Sequence, residues 1–314
     1  MNATLYLSTV LIWGTTWIAI HWQLGEVPVL ASVFYRFAIA GGLLLPLLLL
    51  SGRMQPTNGR DHAFMVLQGI SLFSMNFVTM YSAAQTITSG LLAVIFSAAS
   101  LFNALNSRLF WGERPAPVVY VASLLGIGGL CLMFWPELNH GSADLRGVLM
   151  AALGTYLFSL GNMISLRHSK RGLRPLTSNA YAMLYGALFL AALMALSGTP
   201  LRWDERPLYL GSLLYLAIIG TIVGFTAYLS LVARIGANKA AYATVLFPVV
   251  ALTLSTWFED YHWRLASIAG LVLVLAGNAL MLGLRWPGRP LRSGSPPVAV
   301  NNEGAPLRPP TNLQ

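Results

Sequence analysis

Arg36 stands alone as a charge in the middle of a long apolar run, residues 29–50, and no Asp or Glu lies inside any such run. On insertion scales a guanidinium at that depth costs roughly 2.5–3.5 kcal/mol, so it is by default a functional group. It would suit a solute bearing a carboxylate; the plainer alternative is a hydrogen-bonded or snorkelling structural arginine. Polar and aromatic residues recur in the other apolar runs: Trp13, Thr16 and Trp17; Asn76 and Tyr81; Ser97, Ser100 and Asn103; Tyr156, Ser159 and Asn162; Phe225 and Tyr228. Sites for small molecules are mostly apolar and aromatic with a few placed polar groups. Trp13 and Trp17, four apart, share one helix face with Thr16 beside them. Taken singly, each aromatic is equally a packing or interfacial residue, and each asparagine an interhelical hydrogen bonder. Glu113 and Glu259 stand at the ends of apolar runs, as proton-coupling groups or as ordinary helix-end charges.

Other chemistries lack their residues. The five histidines, His21, His62, His140, His168 and His262, lie far apart with no H-E-x-x-H spacing. There is no G-x-S-x-G elbow and no Gly-rich phosphate loop. The sequence therefore implies no enzyme, no metal site and no cofactor. Cys131 is the only cysteine, so no intrachain disulfide forms, and its apolar surroundings predict a small buried hydrophobe.

The elements that must carry these residues follow from composition. Hydrophobic residues make up 56% of the 314 and charged residues 9%, too few charges to cover a soluble fold, where about 25% is usual. The net charge of +9 comes from basic residues between apolar runs, where they orient a membrane protein; a nucleic-acid partner is not implied. A bilayer core of about 30 Å needs some 20 apolar residues. Ten spans are predicted: 5–22, 29–50, 63–83, 86–110, 117–134, 147–166, 178–197, 208–233, 240–258 and 265–284. No charge occurs between Asp61 and Arg108. As one helix that stretch would be ~69 Å long, so it folds back at the polar run Gln85-Thr86-Ile87-Thr88-Ser89-Gly90. Residues 1–25 carry no Lys or Arg, which reads as a retained first helix rather than a cleaved signal.

With the N-terminus in the cytoplasm, fourteen Lys and Arg residues fall on the cytoplasmic side and four on the other. Such a bias supports ten spans with both ends inside.

The chain also repeats. Phe96-Ser97-Ala98-Ala99-Ser100-Leu101-Phe102 leads to Phe110-Trp111-Gly112-Glu113, and Val245-Leu246-Phe247-Pro248-Val249-Val250 leads to Thr256-Trp257-Phe258-Glu259. Trp13-Gly14-Thr15-Thr16 pairs more weakly with Leu153-Gly154-Thr155-Tyr156. Gly126, Gly129, Gly270 and Gly277 in the last helix of each half read as close-packing positions. Five helices per half put the second half upside down relative to the first. The expected fold is thus an all-α integral membrane protein of ten transmembrane helices in two inverted five-helix repeats, residues 1–135 and 145–284. Residues 285–314, rich in Pro, Gly, Ser and Asn, read as a disordered cytoplasmic tail. Inverted repeats mark secondary transporters that work by alternating access.

Several pieces resemble the EamA type of the drug/metabolite transporter superfamily: Ile12-Trp13-Gly14-Thr15-Thr16, Tyr35-Arg36-Phe37, the hairpin from Ser89 to Ser97, and Phe110-Trp111-Gly112-Glu113-Arg114, with Pro248 and Glu259 as second-half counterparts. The resemblance spans nearly everything but the tail. It implies a permease of the bacterial inner (cytoplasmic) membrane, often an exporter of amino acids, metabolites or drugs. It also implies a central cavity walled by helices 1, 3, 4, 6, 8 and 9, with helices 5 and 10 as scaffold. Such proteins often carry Pro where Ser100 stands, so helix 4 is expected to be less bent than helix 9 with its Pro248. The expectation from residues and resemblance together is export of a small neutral or zwitterionic metabolite such as an amino acid. Multidrug efflux and a non-transporting sensor or scaffold are the alternatives. The implied partners are a small-molecule substrate and the lipid bilayer, and a homodimer is left open.

Overall fold

A computed structural model describes residues 2–112, 117–139, 144–228 and 243–281. Among them are ten helical spans, numbered here in chain order: α1 Asn2–His21, α2 Val29–Leu50, α3 Gly59–Ala83, α4 Ser89–Phe110, α5 Pro117–Asn139, α6 Leu145–Lys170, α7 Pro175–Ser197, α8 Pro207–Tyr228, α9 Ala243–Phe258 and α10 Leu265–Met281. Seven of these described helices, α2 to α8, are long and apolar enough to cross a membrane. Glu113 and the proposed tail lie outside the described residues, as do the predicted end of span 8 and start of span 9.

The helix ends have local causes. Asn58 and Asp61 form a capping box at the start of α3, with Asp61 N donating to Asn58 Oδ1 at 3.0 Å. Asp144 Oδ1 accepts from Arg146 N at 3.0 Å to open α6. Pro175 and Pro207 occupy first-turn positions of α7 and α8, where a missing N–H costs nothing. The predicted fold-back between α3 and α4 is present, but its turn ends at Thr88, which caps α4. Gly90 is inside α4 and serves a close approach instead. A Cβ there would lie 2.9 Å from Leu252 Cα on α9.

The packing obeys an exchange of the two halves. α1 lies along α9 as α6 lies along α4, and α3 lies against α6 as α8 lies against α1. The pairs α2–α7, α4–α9 and α5–α10 are their own counterparts. α5 and α10 touch backbone to backbone: a Cβ on Gly270 would lie 2.5 Å from Gly129 O, and one on Gly129 would lie 2.5 Å from Gly270 O. Gly277 is similarly tight, at 2.7 Å from Ala122 O, whereas a Cβ on Gly126 would meet open space. Close packing thus explains Gly129, Gly270 and Gly277 but not the missing side chain of Gly126.

Two further expectations are corrected. Helix 4, not helix 9, is the interrupted one: α4 breaks at Ala98 into Ser89–Ser97 and a second piece that starts at Ala99, while α9 runs unbroken through Pro248. Ser97 Oγ donates to Val94 O at 2.7 Å and accepts from Asn278 Nδ2 on α10 at 3.0 Å. Such a hydroxyl competes with the main-chain ladder. Cys131 is exposed, not buried. In a bilayer the outward helix face is as apolar as the interior, so apolar neighbours do not indicate burial.

Both α3 and α8 widen into π-helical stretches, Ser71–Met75 and Tyr215–Val223, at equivalent places in the two halves. In each, a hydroxyl reaches the carbonyl five residues back: Ser74 to Gly69 O at 2.9 Å and Thr221 to Leu216 O at 2.8 Å. Ser74 also donates to Gly186 O on α7, and Thr221 accepts from Arg36 Nε on α2. π-stretches of this kind gather at functional sites.

Candidate functional site

A cavity of about 70 Å³ lies among α1, α2, α3, α4, α6, α8 and α9, with no residue from α5 or α10 on its wall. Aromatic rings dominate the lining. Trp17 meets Phe96 at 5.1 Å and Phe247 at 6.1 Å between ring centres, and Phe96 meets Phe158 at 4.6 Å. Trp13 meets Phe225 at 5.6 Å, with Tyr228 at 5.0 Å on its other contacts. These spacings are the edge-to-face and tilted arrangements that aromatic quadrupoles favour.

Few polar groups reach this space. Arg36, only 4% exposed, donates through Nε to Thr221 Oγ1 at 3.3 Å and lies 4.3 Å from the centre of the Phe77 ring. Its Nη1 is buried without a partner, as are Trp17 Nε1 and Asn76 Oδ1. All three residues line the cavity. Asn76 Nδ2 is committed to Leu72 O at 3.2 Å. Two donors and one acceptor therefore border an otherwise apolar space, and no carboxylate lines it. A buried polar group without a partner costs about 1–3 kcal/mol, so it marks a place where a ligand atom is favoured.

Of the residues singled out from the sequence, Trp13, Thr16, Trp17, Arg36, Asn76 and Phe225 line the cavity. Thr16 presents no free proton, since its hydroxyl donates to Trp13 O at 2.7 Å. Tyr81 is fully buried beside Arg36 and donates to Gln23 Oε1 at 2.6 Å. Tyr228 does not line the cavity but packs on Trp13, which does. Pro248 is buried in α9 next to the lining residue Phe247.

Others belong to helix joints. Asn103 Oδ1 accepts from Ser159 Oγ at 2.8 Å and from Asn162 Nδ2 at 3.5 Å, while Asn106 Nδ2 donates to Ser159 Oγ at 2.9 Å. This chain of amides ties α4 to α6, and Asn106 in it went unmarked in the sequence. Tyr156 packs edge-on to Phe102 at 5.7 Å in the same joint. Ser97 borders a separate space of about 30 Å³ among α4, α5 and α10. The side chain of Ser100 lies outside the described residues. Glu259 is at the end of α9, where its carboxylate accepts from Ser89 N at 3.0 Å and from Ser89 Oγ, and stands 3.0 Å from His21 Nδ1.

Phe77, Met80, Phe96, Phe158 and Phe247 line the cavity without having been marked as site residues. Phe96 and Phe247 had one signal, a place in the repeated segments. The others are aromatic or apolar residues in apolar helices and have none.

A ten-helix bundle whose halves exchange by packing, enclosing an aromatic cavity with one buried cation, defines the class as a membrane transporter built on a duplicated five-helix unit. The EamA-like transporter family matches residues 2–135 and again residues 145–283, and the chain belongs to that family. It is 28% identical over 254 residues to the uncharacterized inner membrane transporter YedA of Escherichia coli, covering 78% of this chain and 79% of that one. It is 23% identical over 299 residues to a probable amino-acid metabolite efflux pump of Escherichia coli, covering 91% and 96%. One solved crystal structure shares the fold at a TM-score of 0.63 and 18% identity, covering 90% of this chain and 97% of the other.

Proposed function

We propose that this transporter moves a small neutral or zwitterionic metabolite, such as an amino acid, outward across the bacterial cytoplasmic membrane, with both chain ends in the cytoplasm. The observation that carries this reading is the trio of unpartnered atoms on one cavity: Arg36 Nη1, Trp17 Nε1 and Asn76 Oδ1. A carboxylate matches the two donors. An ammonium matches the amide oxygen and the faces of the surrounding rings. The relative named as an amino-acid metabolite efflux pump is consistent with it.

About 70 Å³ holds only a few water molecules. Loading a solute therefore requires the walls to separate, and the exchange symmetry of the halves supplies two alternative ways of doing so. Glu259, joining α1, α4 and α9 at one end, is the coupling group among the described residues. Its ties to Ser89 and His21 must yield when that end opens.

Flux of a panel of amino acids and related metabolites into proteoliposomes tests the reading. We expect saturable movement of at least one member, lowered tenfold or more by Arg36→Gln at normal expression. No movement of any member by correctly inserted protein overturns it. The aromatic lining also favours a lipophilic efflux substrate; flux of apolar drugs that is indifferent to Arg36→Gln would select that second reading.

A further inference from the structure

A second, larger space lies on the outer surface of the bundle, away from the transport cavity and sharing none of its lining. It is a groove of about 490 Å³ between the first half of α3 and the second half of α6, lined chiefly by Phe64, Leu67, Leu157, Leu160 and Ile164 and closed at one side by Phe110 of α4. It opens outward: Leu67 is 51% exposed and Phe110 54%. Arg167 stands at one end. Its guanidinium carbon lies 3.5 Å from the centre of the Phe64 ring, and both Nη atoms are buried without a hydrogen-bond partner. Among the described residues Asp61 is the carboxylate that stands by it, at 3.9 Å, too far for a hydrogen bond. Arg60 and Arg171 are near enough to act on Arg167 electrostatically.

We infer that this groove holds an acyl chain of an anionic phospholipid, with the lipid phosphate on Arg167 and within reach of the positive field of Arg60 and Arg171. The dimensions favour a lipid. From Leu157 to Arg167 the wall of α6 rises ~15 Å, one leaflet of a ~30 Å hydrocarbon core. The basic end coincides with the ends of α3 and α6, at Gly59 and Lys170, where headgroups lie. Basic residues at this depth attract anionic headgroups, and an arginine fork matches phosphate oxygens. A soluble anion would meet the same three arginines but would leave the apolar wall uncovered.

Native mass spectrometry of the purified full chain, titrated with phosphatidylglycerol and with phosphatidylcholine of the same chains, tests this. The wild type is expected to retain one phosphatidylglycerol in roughly fivefold preference to phosphatidylcholine. Arg167→Gln abolishes the preference. Leu160→Trp fills the groove, leaves the arginines in place and reduces retention of both lipids. Equal retention of the two lipids by the wild type overturns the inference. So does phosphatidylglycerol retention that is unchanged in both variants, or its displacement by inorganic phosphate at millimolar concentration.

Discussion

Arg36 of α2 donates through Nε to Thr221 Oγ1 of α8 at 3.3 Å, and Thr221 itself donates to Leu216 O, the bond that accompanies the π-widening of α8. One hydroxyl therefore ties the orientation of the buried guanidinium to an irregularity in a neighbouring helix. Thr221→Val keeps the shape and removes both bonds. It is expected to weaken substrate affinity by three- to tenfold while leaving maximal flux within about twofold, since a single long hydrogen bond contributes roughly 0.5–1.5 kcal/mol. Concentration-dependent flux in proteoliposomes checks this. Arg36→Lys, which keeps charge but loses the planar fork, is expected to fall between Thr221→Val and Arg36→Gln.

Glu259 anchors the start of α4. Its side chain is 3% exposed and accepts from the first free N–H of that helix, where a negative charge also meets the helix dipole favourably. Glu259→Gln is expected to lower stability by about 1–3 kcal/mol, read as a drop in Tm of the detergent-solubilised protein. Ser89→Ala combined with it should be less than additive, because Ser89→Ala removes the hydroxyl bond that Glu259→Gln also weakens, while the Ser89 N–H stays in both. Additive losses would show that the Ser89 hydroxyl and the Glu259 carboxylate act independently.

Gly270 has no room for a side chain. A methyl group 2.5 Å from Gly129 O must push α10 away from α5. Gly270→Ala is expected to destabilise the protein by about 1–3 kcal/mol, whereas Gly126→Ala, which meets open space, should change Tm little. Substrate affinity of the folded fraction should be unchanged in both, since neither helix lines the cavity.

Asp204 in the loop before α8 accepts from Arg206 N at 2.9 Å, from Nε at 2.7 Å and from Nη2 at 2.6 Å. The side-chain bonds from Arg206 chiefly hold its carboxyl below the ordinary carboxylate value. A lowered folded value means that the stabilisation is fully present above the unfolded value, near 3.9, and is lost as pH falls through the folded value. Thermal melts from pH 6 downward should show an acid-side loss of stability that is smaller in Asp204→Asn.

Arg36 and Thr221 also show where reading the chain stops. The solitary charge at 36 was conspicuous because an apolar run makes any cation costly. Its partner was not, because a threonine in a membrane helix usually bonds within its own turn, and the five-residue reach of Thr221 exists only once α8 has widened against α2. Asn103, Ser159 and Asn162 were legible as polar residues in apolar helices. That they join α4 to α6, while Asn76 and Arg36 face the cavity, depends on how each helix is rotated. Rotation is poorly encoded in such a chain: lipid and protein interior are equally apolar, so the amphipathic stripe that orients a soluble helix is missing. Cys131 shows the same ambiguity from the other side.

By itself the sequence determined the number of helices, the fold-back after Ala83 and the duplication. Each rests on a quantity that runs along the chain: hydrophobic length, the absence of charge over a stretch too long for one crossing, and recurrence of residues at a fixed offset. Only the tertiary structure decided which faces meet. It brought Trp17, Arg36 and Asn76 from three helices onto one cavity, placed the break in α4 rather than α9, and set Glu259 on Ser89. Those outcomes depend on backbone approaches and side-chain hydrogen bonds between distant segments, which close packing fixes and linear order does not.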